Sequence, residues 1–145
     1  MDLENLRVAF QVHHAQLIDK RQKIHTMTST TIGFLLVVIG WLVTTSVTLE
    51  MWTKIILFFS IVTLSIISCA NLYTNSKSYI EIAKVINKIN IKLGFFNENE
   101  DNVENSLYPI SWKNYGKVTA FKTMWHHALS IIMFAIVCNI IIILK

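Results

Sequence analysis

The chain has 145 residues, of which 53% are hydrophobic and only 15% charged, with a mean hydropathy of +0.49 and a formal net charge of +4. Soluble domains carry about 25% charged residues, so this composition excludes a conventional water-soluble enzyme domain and leaves one membrane domain with short polar appendages. Four Gly and one Pro favour long helices with few breaks.

Residues 2–25 read as a cytoplasmic amphipathic helix. Leu3, Leu6, Phe10, His13, Leu17 and Ile24 recur at helical spacing and share one face. Leu6, Phe10, His13 and Leu17 are the centre of this packing face, which must be buried against another helix, a neighbouring subunit or the membrane surface. Asp2 and Glu4 suit the positive start of a helix, and Lys20, Arg21 and Lys23 suit its end. So polar a start is no cleavable signal peptide, and the first span is expected to serve as an uncleaved anchor. The threonine-rich stretch 26–31 leads into that span with nothing that forbids helix.

Two apolar runs follow. Ile32–Leu49 has no charge between His25 and Glu50, and Ile55–Tyr73 has none before Lys77. Each is long enough to cross a hydrocarbon core of about 30 Å, giving expected spans at 30–49 and 54–75. Only Glu50–Lys54 separates the runs, which predicts an antiparallel hairpin. In span one Ser29, Gly33, Gly40 and Thr44 fall on one stripe. Small residues let helix backbones approach closely in lipid, so the stripe fits packing within the chain, a contact between subunits, or a pore lining. Span two carries Ser60, Thr63, Ser65 and Ser68, whose hydroxyls can bond their own helix. It also carries Asn71, an intramembrane amide suited to bonding across helices or lining a cavity. Cys69 and Cys138 are expected at different depths, which argues against a disulfide. Trp52 fits an outer interfacial anchor, and Tyr73, Tyr79 and Trp125 an inner belt.

Residues 77–93 predict a cytoplasmic helix, with Ile82, Val85, Ile86 and Ile89 on one face and Lys84, Lys88 and Lys92 on another. It either continues span two as one rod or restarts at Thr74-Asn75-Ser76, and Gly94 is its expected stop. Residues 94–117 read as a cytoplasmic loop. Its acidic part, Asn97–Asn105, lacks the glycine and ligand order of a calcium loop. Its aromatic part, Leu107–Lys117, suggests an ordered turn at the interface. Span three, at 122–144, has Trp125, His126 and His127 at its entrance. Of the 13 Lys and Arg, only Lys54 and Lys145 lie outside the N-terminal segment and the segment between spans two and three. The positive-inside rule therefore places the N-terminus and residues 74–122 in the cytoplasm and the C-terminus beyond a bacterial inner membrane. The basic excess is expected to meet anionic lipid headgroups, with no nucleic-acid partner.

The runs contain no Asp, Glu, Lys or Arg, which disfavours proton-coupled transport, and inverted repeats and broken spans are lacking. His13-His14, His25 and His126-His127 are the candidate metal ligands. Neighbours on a helix point about 100° apart, so neither pair makes a clamp, and no metal is expected. Arg7 and His13 match loosely a spacing found in a helical nuclease family, but they point to different faces. With no trusted catalytic arrangement, the expectation is a non-enzyme without a cofactor.

From Arg7 to about Leu93 the layout is a basic amphipathic helix, a tight two-span hairpin and a cytoplasmic helix. In this layout, carried by HHAQLIDKRQKIHTMTSTTIGFLLVVIGWLV and the hairpin after it, the chain resembles the SLATT-type membrane effectors of prokaryotes. Ala128–Leu144 adds a third span to that two-span plan. The resemblance implies pore formation beside nucleotide-signalling or other anti-phage systems. The expected fold is an all-α integral membrane protein with three transmembrane helices, an N-terminal amphipathic helix, and a cytoplasmic helix plus loop between spans two and three. Three helices cannot enclose an aqueous channel, so the expected effector is a homo-oligomer that permeabilises or depolarises the membrane. The alternative is a non-conducting anchor or scaffold for a cytoplasmic protein partner.

Overall fold

The computed structural model describes residues 3–46, 48–95 and 115–145, with side chains in the last stretch from Met124 onward. The described residues form three helices and no strand: α1 (Leu3–Thr44), α2 (Met51–Lys92) and α3 (Tyr115–Leu144). All three are long and apolar enough to cross a membrane. The acidic stretch 97–105, the aromatic turn up to Asn114, and Asp2 lie outside the described residues.

The amphipathic segment and the first span belong to one helix, as nothing in 26–31 interrupts the backbone. Thr28 and Thr31, which favour other conformations when exposed, donate instead to the carbonyls of Ile24 and Met27, both at 2.9 Å. Of the two alternatives for span two, continuation is the one found, since α2 runs through Thr74-Asn75-Ser76 without a break.

The turn between α1 and α2 departs from expectation. It was expected at Glu50–Lys54, after a span reaching Leu49; instead α1 ends at Thr44 and α2 already includes Met51–Lys54. The run Thr44-Thr45-Ser46-Val47-Thr48 is β-branched or hydroxylated throughout and has low helix propensity. Glu50 then precedes the new helix, where its charge is favourable beside the positive N-terminus, and its carbonyl accepts from Lys54 N–H at 3.1 Å.

The chain divides into two compact units, each described by itself. The first comprises Met1–Lys23 and Asn75–Thr123, the second Ile24–Thr74 and Met124–Lys145. In the first, α2 buries Ser76, Ala83, Ile86 and Ile89. Val85, expected on this face, is 39% exposed while Ala83 is 9% exposed. Ala83 lies seven residues from Ser76 and three from Ile86, on one side of α2, while Val85 falls off that side. The helix stops as expected at Gly94. Phe95 N–H reaches the Asn90 carbonyl at 3.1 Å and Gly94 N–H that of Ile91 at 3.1 Å, closing a Schellman motif around the positive φ of 74° at Gly94.

In the second unit the core is Leu35 and Leu42 of α1, Ile61 of α2, and Ala135, Cys138 and Ile142 of α3. Leu49, past the end of α1, covers this cluster. Thr31 meets Ser68, whereas Leu42, farther along α1, shares the cluster with Ile61, farther back on α2, so these helices are antiparallel. His25 meets His127, Leu35 meets Cys138, and Thr45 meets Lys145, so α3 runs parallel to α1. The buried positions of this unit recur at three- and four-residue intervals on α2 and α3 and at seven from Thr28 through Leu35 to Leu42 on α1, the pattern of left-handed helix packing. Outside the seam, Val37, Val43, Phe59, Ile66, Met133 and Ile143 are all more than half exposed. An apolar surface on every helix is a surface for lipid rather than water.

Replacing Leu35, fully buried, by Ala should destabilise the unit by about 1–3 kcal/mol. This falls short of a soluble core, because lipid removes the water-transfer part and leaves the lost packing. Val37→Ala, at a position 71% exposed, should change stability by less than about 0.5 kcal/mol. Unfolding in mixed micelles would measure both.

Candidate functional site

The first candidate is the small-residue stripe. Ser29, Gly33, Gly40 and Thr44 are all exposed, and a methyl group added at Gly33 or Gly40 would meet nothing within 4 Å. At roughly 100° per residue, the stripe lies on the side of α1 opposite the seam of Thr28, Leu35 and Leu42. Packing against the other spans of this chain, one use expected for the stripe, is therefore not made by the described residues. Thr44 turns its hydroxyl to its own helix, donating to the Gly40 carbonyl at 2.8 Å, so little of the stripe protrudes. The face is a shallow track open to whatever surrounds the chain.

The second candidate is the polar end of the second unit. Thr28, Ser65 and Ser68 are buried. Thr28 donates to the Ile24 carbonyl and Ser65 to the Ile61 carbonyl at 2.8 Å. The Ser68 hydroxyl meets that of Thr31 at 3.2 Å, joining α2 to α1. Beyond them the ring of His25 contacts that of His127 edge to face, with centroids 4.9 Å apart and planes at 84°. At the opposite end, the Lys145 ammonium donates to the Thr45 carbonyl just past the end of α1. A cation is favourable there, because the last carbonyls of a helix lack partners along the chain and carry partial negative charge.

Other expected residues fall as follows. Asn71 is exposed on α2. Leu6 is buried, while Phe10, His13 and Leu17 are half-buried, so the packing face of the N-terminal segment is partly covered within its own unit. Phe10 stacks on His14 at 5.6 Å and meets the edge of Phe95 at 6.5 Å, and His13 Nδ1 lies 3.2 Å from the Gln16 side-chain oxygen. Cys69 and Cys138 are free thiols; the Cys138 Sγ lies 3.5 Å from the Leu35 carbonyl oxygen in the core.

The pairing of His25 with His127 is a tertiary contact that neither local sequence displays. Spacing places His127 on its seam, four residues before Ile131 and in line with Ala135, Cys138 and Ile142, but does not name its partner.

Three long apolar helices with lipid-suited surfaces define a multi-pass α-helical membrane protein. Compared with known protein families, curated proteins and solved structures, the chain has no match in any of the three.

The Thr31–Ser68 contact is the hydroxyl pair that crosses between α1 and α2. A double-mutant cycle with Thr31→Val and Ser68→Ala should give a coupling of about 0.6 kcal/mol, the usual size for an interhelical hydrogen bond in a membrane. Unfolding in micelles reads it directly, and additive single effects would remove the pair from the forces that join these helices.

Proposed function

We propose that the protein is an oligomeric membrane effector that permeabilises or depolarises the inner membrane of a prokaryotic cell, as the resemblance to SLATT-type effectors implies, and that it acts in anti-phage defence. The observation that carries this reading is the exposed stripe Ser29, Gly33, Gly40 and Thr44 on the side of α1 away from the filled core. With Leu35, Leu42, Cys138 and Ile142 closing the seam at 1% exposure or less, the described residues of one chain leave no path for ions along that seam, and conduction belongs between copies. Close approach of α1 helices along the stripe builds such an assembly, either as the contact or as the lining. The distribution of Lys and Arg sets the orientation: N-terminus and residues 74–122 in the cytoplasm, C-terminus outside.

The competing use is a scaffold that holds a cytoplasmic partner through Leu6 and Phe10. It has less to offer, since Leu6 is 7% exposed and Phe10 already meets His14 and Phe95.

During induced expression, a voltage-sensitive dye should report rapid depolarisation with the wild-type chain. Gly40→Leu, which fills the stripe without touching the core, should abolish the depolarisation and the oligomer at equal amounts of membrane-inserted protein. A wild-type chain that leaves the potential unchanged, or a Gly40→Leu chain that depolarises equally well, would overturn the proposal.

A further inference from the structure

The second unit is nearly devoid of charge. Within Ile24–Thr74 and Met124–Lys145 the carboxylate side chain is Glu50 alone, and the Lys side chains are Lys54 and Lys145. Glu50 and Lys54 flank the start of α2, and Lys145 meets Thr45 past the end of α1. All three therefore belong to the end of the unit opposite the histidines. Against that background, His25 and His127 touch across two helices, and His126 precedes His127 on the same turn of α3.

We infer that the His25–His127 contact is a proton-sensitive joint between α1 and α3, closed while the rings are neutral and forced apart when both are protonated. Imidazole gains or loses its proton near pH 6.5 in the absence of perturbation, closer to neutrality than any other side chain. Two neutral rings attract edge to face. Two imidazolium rings with centroids 4.9 Å apart repel.

Among the described residues no carboxylate lies within one helical turn of either ring along its own helix, and the charges nearest His25 on α1, Arg21 and Lys23, are positive as well. The charged groups acting on His127 are His25 and His126, both of the same sign when protonated. The adjoining stretch of α2 contributes Cys69 and Tyr73 as its titratable side chains, neither of them a carboxylate. On α1, the 24 residues between His25 and Glu50 hold no ionisable side chain. His25 is exposed and His127 half-buried, so protons reach the pair without the unit opening first. The joint lies at the hydroxyl-lined end of the bundle, beside Thr28 and the Thr31–Ser68 contact. The closely packed end around Leu42 and Ile142 has no histidine. Acid is thus expected to loosen one end of the three-helix unit and spare the other. This inference rests on packing and charge, and it holds whether or not the protein conducts.

The test uses the purified full chain in neutral detergent micelles, with thermal unfolding followed between about pH 8 and pH 5.5, above the range where carboxylates titrate. The wild-type midpoint should fall by roughly 4 °C or more as the pH drops through 6.5. His25→Gln or His127→Gln should each remove most of that fall, and the double variant should be no flatter than either alone, because the repulsion needs both rings. The remaining histidines are common to all these proteins, so the difference between wild type and variants is the readout. A wild-type midpoint independent of pH, or a fall that survives in both single variants, would overturn the inference. Should the variants fail to fold, histidine-ring NMR of the wild type decides: His25 and His127 titrating as a coupled pair supports the joint, and two independent single-proton curves overturn it.

Discussion

In lipid, the hydrophobic effect keeps a helix in the membrane but does not hold it to its neighbour, because acyl chains are as apolar as leucine. What joins the three helices is therefore shape. The second unit depends on one continuous seam, in which Leu35 and Leu42, seven residues apart on α1, and Ile61 of α2 pack with Ala135, Cys138 and Ile142, spaced three and four apart on α3. Ala135 and Cys138 are small enough to bring α3 close to α1, close enough for the Cys138 sulfur to lie beside the Leu35 carbonyl. Everything else in the unit, including the exposed stripe and the histidine contact, takes its position from that seam.

The two ends of the seam differ in chemistry. Around Leu42 and Ile142 it is apolar, and it is finished by a lysine that meets a helix end. Toward His25 it is lined by hydroxyls and imidazoles. Apolar packing is indifferent to pH, whereas a contact between two imidazoles is not. A single bundle thus combines a permanent contact with a conditional one, without needing a buried carboxylate or lysine, which would be expensive at membrane depth.

Much of this was legible in the residues. The apolar runs announced three helices long and apolar enough to cross a membrane, and Gly94 announced the end of the second; of the face marked by periodicity, Leu6 is buried and Phe10, His13 and Leu17 half-buried, while Leu3 is 57% exposed. What the sequence hid has physical causes. The turn at 45–50 was misplaced because charge was taken as the boundary; in so apolar a chain a cluster of threonines ends the helix before any charge is reached. The outward-facing stripe was ambiguous because small residues serve a close contact equally well within a chain or between chains. Val85 was put on the buried face by its apolar side chain, although the spacing from Ser76 and Ile86 puts Ala83 there instead. The histidine pair needed knowledge of which helices are parallel, information that lies in tertiary contacts and not in local spacing.

The hydroxyl groups have a further consequence for how the chain enters a bilayer. Thr28, Thr31, Thr44, Ser60, Ser65, Thr74 and Ser130 each donate to the carbonyl four residues back on their own helix. A span that looks polar on paper is thereby close to apolar in effect, since the protons that would otherwise seek water are already occupied. No helix has to wait for another to satisfy these groups. Each can insert as an independent cylinder, in whatever order synthesis delivers it, and the bundle can assemble afterwards from segments already at home in lipid.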